Sequence, residues 1–279
     1  MQDAAPADGG LALSLRIKYG RWKYGFFGAG NTRSGFRVSE TRFIKWPCKQ
    51  PELEGHLYVL DHTDLPVPQI HATYMWRGHL AIEMEYLTDC VTLAAVWYEL
   101  TKVQKGQVVE QIARYIKTLR ALKPTSTQGN KVSATSGGPC RDMRVSTMNL
   151  FGPFDDIHAF NRCLTGNTTN PDAVTEAYGN AVFNVHARSY DIRFTHGDLG
   201  VQNILIRDGK VAAIIDWECS GWWPEYWEYT KAHYNEWRCP NFYEMLRERV
   251  PRYDEELTAE RELWEAFNRP LDQKEWEAS

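Results

Sequence analysis

Apolar and polar positions follow two rhythms along this chain. Period-two alternation marks strands at 35–38, 42–46, 70–75 and 80–87, with a turn at Ser39-Glu40-Thr41 joining the first pair. Between Ile204 and Ile215, apolar β-branched runs flank Asp208-Gly209, and that pattern predicts a tight hairpin ending at Asp216. Helical spacing appears at Leu53, Leu57 and Leu60. It recurs from Val108 and Val109 through Ile112, Ile116, Leu119 and Leu122. Further helices are expected over 156–164 and 253–267, the latter carrying Leu257, Trp264 and Phe267 on a charged background and stopping near Asn268 to Pro270. The Pro-, Ser-, Thr- and Gly-rich stretch 123–138 and residues 165–172 read as loops. Residues 1–20 read as a frayed tail followed by a short ordered entry.

Composition narrows the function classes. The 279 residues suffice for two lobes or one large domain. A net charge of −4 argues against a nucleic-acid partner held by electrostatics. No apolar run approaches the ~20 residues of a membrane span, and no membrane partner is expected. The Ala-, Asp- and Gly-rich start carries no basic-then-apolar signal, and six dispersed cysteines form no C-x-x-C pair. Reduced thiols and a cytoplasmic location are the expectation.

The hairpin gathers Asp198, Asn203 and Asp216 at one end of one small sheet. Phosphoryl transfer needs that set: a carboxylate to orient a hydroxyl and accept its proton, and oxygen ligands for Mg²⁺. Asp198 fits the first role, Asn203 and Asp216 the second. The stretch H-G-D-x-x-x-x-N followed by I-I-D-W-E resembles the aminoglycoside phosphotransferase and choline kinase branch of the protein-kinase-like superfamily, with the fungal-type members in particular. Thr63 to Pro68, Gly137 to Asp142 and Gly152-Pro153-Phe154 resemble segments of those fungal members, although physics assigns them no role.

The resemblance implies an α+β, two-lobed kinase-like fold, with a small β-rich lobe over 1–87 and a larger, mainly helical lobe over 88–279. It implies ATP and Mg²⁺ as cofactors and a small-molecule hydroxyl as acceptor, an amine or amino sugar among the candidates. Lys45 shares a strand face with Phe43, where a merely solvated lysine would be out of place, and it occupies the position of the phosphate-holding lysine. Glu52 and Glu54 both flank the Leu53 stripe as partners for it, and Glu52 is preferred by family spacing. Gly28 and Gly30 form a weak glycine-rich phosphate loop. Backbone groups of Glu85, Tyr86 and Leu87 would hold adenine, with Met84 as a wall. His196 would brace the catalytic loop. Glu218 is a secondary candidate for substrate or metal. Glu225 and Glu228, set among Trp222, Trp223, Tyr226, Trp227 and Tyr229, are candidates for a cationic acceptor. A regulatory pseudokinase is the alternative, although base and both metal ligands are all in place.

Overall fold

The computed structural model describes residues 5–25, 35–124, 128–146, 149–168 and 170–267. Gly28, Gly30 and the expected stop of the last helix lie outside the described residues.

The N-terminal part is built on a five-stranded sheet. In chain order its elements are β1 (Ala7–Asp8), α1 (Gly10–Tyr24), β2 (Gly35–Arg37), β3 (Arg42–Cys48), α2 (Gln50–His62), β4 (Ile70–Trp76) and β5 (His79–Glu85). The strands lie in the order β1-β4-β5-β3-β2, all antiparallel neighbours except the parallel β1–β4 pair. Alternation along β3 and β5 sends side chains to two covered faces. On one face Ile44, Ala81 and Trp76 meet Leu13 and Ile17 of α1, and on the other Ile82, Leu80 and Met84 meet Leu53 of α2. A full helix over residues 10–24 thus replaces the expected tail and short entry.

The rest of the chain is mainly helical. It comprises β6 (Val91–Thr92), α3 (Leu93–Val96), α4 (Lys102–Ala121), β7 (Ser133–Ala134), α5 (Ile157–Leu164), α6 (Pro171–Tyr178), α7 (Asn180–His186), β8 (Ile192–Thr195), β9 (Ile204–Arg207), β10 (Lys210–Ile214), β11 (Gly221–Pro224), α8 (Trp227–Ala232), α9 (Pro240–Arg247) and α10 (Asp254–Phe267). Local chemistry sets the ends. Thr101 and Gln104 form a capping box at α4, and Asp156 caps α5 through the Ala159 N–H at 2.7 Å. Each such cap stabilises its helix by about 1 kcal/mol. The stripe Val108, Ile112, Ile116 and Leu119 is buried as the spacing predicts, in a core shared with Phe160, Phe194 and five fully or almost fully buried aromatics from Trp217 to Trp227. Among the described residues no helix is long and apolar enough to cross a membrane, and all six cysteines are unpaired.

Two small sheets hold up the candidate site. One has the order β10-β9-β6, the other β7-β11-β8. The predicted hairpin is β9–β10, and Asp208 (φ 52°) and Gly209 (φ 72°) both adopt the left-handed conformations that a two-residue turn of this hand requires. A bulge interrupts the returning strand between Val211 and Ala213.

Candidate active site

Strand β8 runs straight into His196, whose ring is fully buried with its centroid 4.5 Å from that of Trp217. Burial pushes the imidazole down to about 4, so the ring is neutral. Its two nitrogens then have distinct tasks. Nε2–H donates to the Ile215 carbonyl at 3.1 Å, and Nδ1 accepts the Asp198 N–H at 3.2 Å. Gly197 has φ 79°, and a Cβ there would stand 2.4 Å from the Cys219 carbonyl oxygen, so only glycine fits between the two segments. Below the loop, the carboxylate of Glu228 accepts the His196 N–H at 2.7 Å and also the Gly197 N–H.

Asp198, Asn203 and Asp216 are brought together. Asn203 Nδ2 donates to Asp198 Oδ2 at 2.9 Å and to the Asp198 carbonyl at 2.8 Å, which turns its amide oxygen away from Asp198. The Ile215 N–H donates to the Asn203 carbonyl at 3.0 Å and so seats Asp216 beside that loop. Burial raises the Asp198 carboxyl to about 6. Asp216 adds to the rise, whereas Lys231 and the Asn203 amide oppose it. Asp216 itself has φ 69° and ψ 66°, a strained conformation for an aspartate, of the kind held at functional sites by surrounding structure. Burial works against its charge, but Lys45 more than compensates and its carboxyl lies below the ordinary value.

Lys45 is the link to the N-terminal sheet. Its Nζ lies 2.5 Å from Glu52 Oε1 and 2.7 Å from Asp216 Oδ1. Burial opposes its charge, yet the two carboxylates hold it protonated, well above the ordinary lysine range. Of the two candidate partners, Glu52 is buried at 2 % exposure and touches Lys45, and no ion pair is formed by Glu54 among the described residues. Next to this charged end opens a cavity of about 360 Å³, with Phe43, Met84, Glu85, Tyr86, Leu87, Leu205 and Ile215 in its walls. The Glu85 N–H donates to the Gln69 carbonyl and that of Tyr86 to the Thr41 carbonyl, so both amides are spent within the N-terminal sheet. The amide of Leu87 is the one of the three that lies beyond the sheet's pairing.

The carboxylates downstream of Asp216 are placed differently from one another. Glu218 follows on the 3₁₀ turn Trp217–Cys219, with Oε2 2.9 Å from Arg141 Nε. Glu225 sits at the end of β11 and is held by Tyr253 Oη at 2.9 Å, by the Asp191 N–H and by Arg120. Glu228 is 4 % exposed and faces the backbone of the His196–Asp198 loop. Neither Glu225 nor Glu228 lines the 360 Å³ cavity.

Sequence reasoning assigned nothing to the Arg141-Asp142 pair or to Lys231. Asp142 is fully buried, with Oδ1 2.9 Å from Lys231 Nζ, and that ammonium is the largest opposing influence on the raised Asp198. One signal was available: a lysine inside the aromatic run W-E-Y-T-K must be buried with a partner. No spacing rule points to Asp142, 89 positions upstream.

Lys45 and Asp216 line an apolar cavity, and Asn203, bonded to Asp198, is tied to the strand that ends at Asp216, a set of groups of the kind phosphoryl transfer requires. The model of the Phosphotransferase enzyme family (APH) matches residues 51–265. The chain belongs to that family. It is therefore a phosphotransferase acting on a hydroxyl acceptor, and its α+β fold is the kinase-like one of its structural neighbours. The gentamicin complex of APH(2'')-IIa is similar at a TM-score of 0.58 and 14 % identity, over 93 % of this chain and 86 % of that one. ADP-bound APH(2'')-Ib gives 0.58 and 12 %, over 95 % and 93 %. A choline/ethanolamine kinase family protein from Mesorhizobium loti gives 0.52 and 15 %, over 86 % and 78 %. No curated protein sequence matches the chain significantly.

Proposed function

We propose that this phosphotransferase moves the γ-phosphoryl group of ATP to a hydroxyl of a small molecule, with Asp198 as the base and Asn203 and Asp216 as the Mg²⁺ ligands. The observation that carries this reading is the joining of Lys45 to both Glu52 and Asp216 at the mouth of the 360 Å³ cavity. Adenine takes the cavity against Met84, with the Leu87 amide as hinge donor, and Lys45 turns its third N–H toward the phosphates. Asp198 orients the acceptor hydroxyl and takes its proton. A carboxyl near 6 is ionised at neutral pH, yet more basic than an ordinary aspartate. His196 stays neutral and holds the loop.

The donor set fits Mg²⁺. A carboxylate and an amide oxygen are hard ligands of the kind this ion takes, so Asp216 and Asn203 would hold it. When bound, Mg²⁺ neutralises charge on the transferred phosphate. The short link from Asp216 to the buried Tyr226 leaves no space for a long substrate-binding segment, which favours a small acceptor over a protein one. Several structural neighbours hold aminoglycosides, as in the gentamicin, kanamycin and hygromycin B complexes, so hydroxylated amines and amino sugars head the acceptor candidates. Glu225 and Glu228, committed inside the protein, serve the fold in this reading.

The test is transfer of labelled phosphate from ATP across a panel of hydroxylated amines and sugars. Asp198→Ala is expected to lower kcat by about a thousandfold and to leave MgATP affinity within a few-fold of wild type. A variant retaining more than a tenth of the wild-type rate would mean that another group is the base.

A further inference from the structure

Helix α1 has two apolar faces and no acidic residue. Leu13, Ile17 and Gly20 are buried against the five-stranded sheet. On the opposite side Leu11, Leu15, Tyr19 and Trp22 are 76, 55, 50 and 80 % exposed. At about 100° per residue these four fall within an arc of roughly 80°. The exposed cations Lys18 and Arg21 border that arc on one side and Lys23 borders it on the other.

The helix cannot turn this face inward. Arg16 clamps it to β5 through Glu83, with Nη1–Oε2 at 2.9 Å and Nη2–Oε1 at 2.6 Å. Trp76 Nε1 donates to Ser14 Oγ at 2.9 Å, and the Gly9 N–H donates to the Met75 carbonyl at 3.0 Å. The apolar stripe is therefore presented rigidly to whatever lies outside. It is bounded by positive charge on a chain whose net charge is −4. Leucines and an amphipathic Trp and Tyr on one face, with lysine and arginine on its borders, suit a helix lying in the plane of a membrane interface.

We propose that the Leu11–Leu15–Tyr19–Trp22 face of α1 docks on an anionic lipid surface, with Lys18 and Lys23 at the headgroups. A second copy of this chain fits less well, because a symmetric pairing of the stripes sets like charges against one another. The expectation of no membrane partner rested on the lack of a spanning segment and does not bear on a helix that lies on the surface. This inference is independent of the reaction assigned above, since α1 contributes no residue to the cavity or to the Asp198 loop.

The experiment is co-sedimentation of the full chain with vesicles of phosphatidylcholine, with and without about one-third phosphatidylserine. Binding is expected to the anionic vesicles, weakening as salt rises. Leu15→Ser with Trp22→Ser should lower the partition coefficient at least about tenfold, and Lys18→Ala with Lys23→Ala by about tenfold. Unchanged ATP affinity in both variants shows that the fold is intact. Failure of the wild-type chain to bind anionic vesicles overturns the proposal, as does equal binding to pure phosphatidylcholine. A dimer dissolved by the Leu15 and Trp22 changes, with no vesicle binding, would assign the face to a second copy instead.

Discussion

Glu228 is a sequence candidate for gripping a cationic acceptor, and its position beneath the His196–Asp198 loop predicts a different phenotype. Its carboxylate accepts the N–H groups of His196 and Gly197, and burial pushes it from 4.5 up to about 7. A raised folded-state value means that the protonated form is the one the fold favours. The corresponding stability is present in full below about pH 4.5 and is lost as pH rises through about 7. A shift of this size corresponds to about 3–4 kcal/mol in all, of which about three-quarters falls between pH 5 and pH 8. Glu228→Gln keeps an accepting oxygen and the volume but cannot ionise, so its stability curve should be flatter by that amount. Urea denaturation of both proteins at half-unit pH steps gives the comparison. Asp198 and Glu52, raised to about 6 and about 7, tilt the absolute curves the same way, so the difference between variant and wild type is the quantity to read. Parallel curves would mean that the carboxylate is hydrated, and a rise in acceptor KM alone would return Glu228 to the acceptor site.

Two further outcomes follow from the site geometry. Asp216→Ala should weaken MgATP binding by at least about tenfold in calorimetry, with nucleotide affinity in excess EDTA much less affected; equal MgATP affinity in the two proteins would remove Asp216 from the metal site. Glu52→Gln should raise KM for ATP by about tenfold through misplacement of Lys45, with Glu54→Gln close to wild type, and equal effects of the two changes would contradict the Lys45–Glu52 pairing.

The parts of this fold that local rules could reach were those whose signals act over a few residues. Asp208-Gly209 can make only a few turns, so the β9–β10 hairpin and the delivery of Asp216 followed from composition alone. Lys45 stood out because a strand's alternation sends it to a covered face, and the stripe of α4 is a single one. Helix α1 escaped for the opposite reason. Its buried stripe of Leu13 and Ile17 faces away from an exposed stripe of Leu11, Leu15 and Trp22, and the two cancel as a periodic signal. Helices α6 and α7 are short, and residues 171–186 gave no stripe strong enough to separate them from the preceding loop.

The same limit governs the carboxylates after Asp216. Aromatic and acidic residues crowded into 221–229 are equally compatible with a cation-binding wall and with a core that must satisfy its own backbone. The deciding partners lie far away in sequence: Arg120 and Tyr253 for Glu225, and the N–H groups of His196 and Gly197 for Glu228. Tyr226, Trp227 and Trp223 are fully buried, so a carboxylate carried among them is paired inside or left costly and unpaired. Lys231 meets that demand with Asp142, and through its charge reaches Asp198, the proposed base. A loop bearing Gly197 and Asp198 cannot form helix or sheet bonds of its own, and so needs an acceptor from below. Placing that acceptor on α8, within the aromatic core, ties the loop that carries the proposed base to the large buried cluster of the C-terminal part.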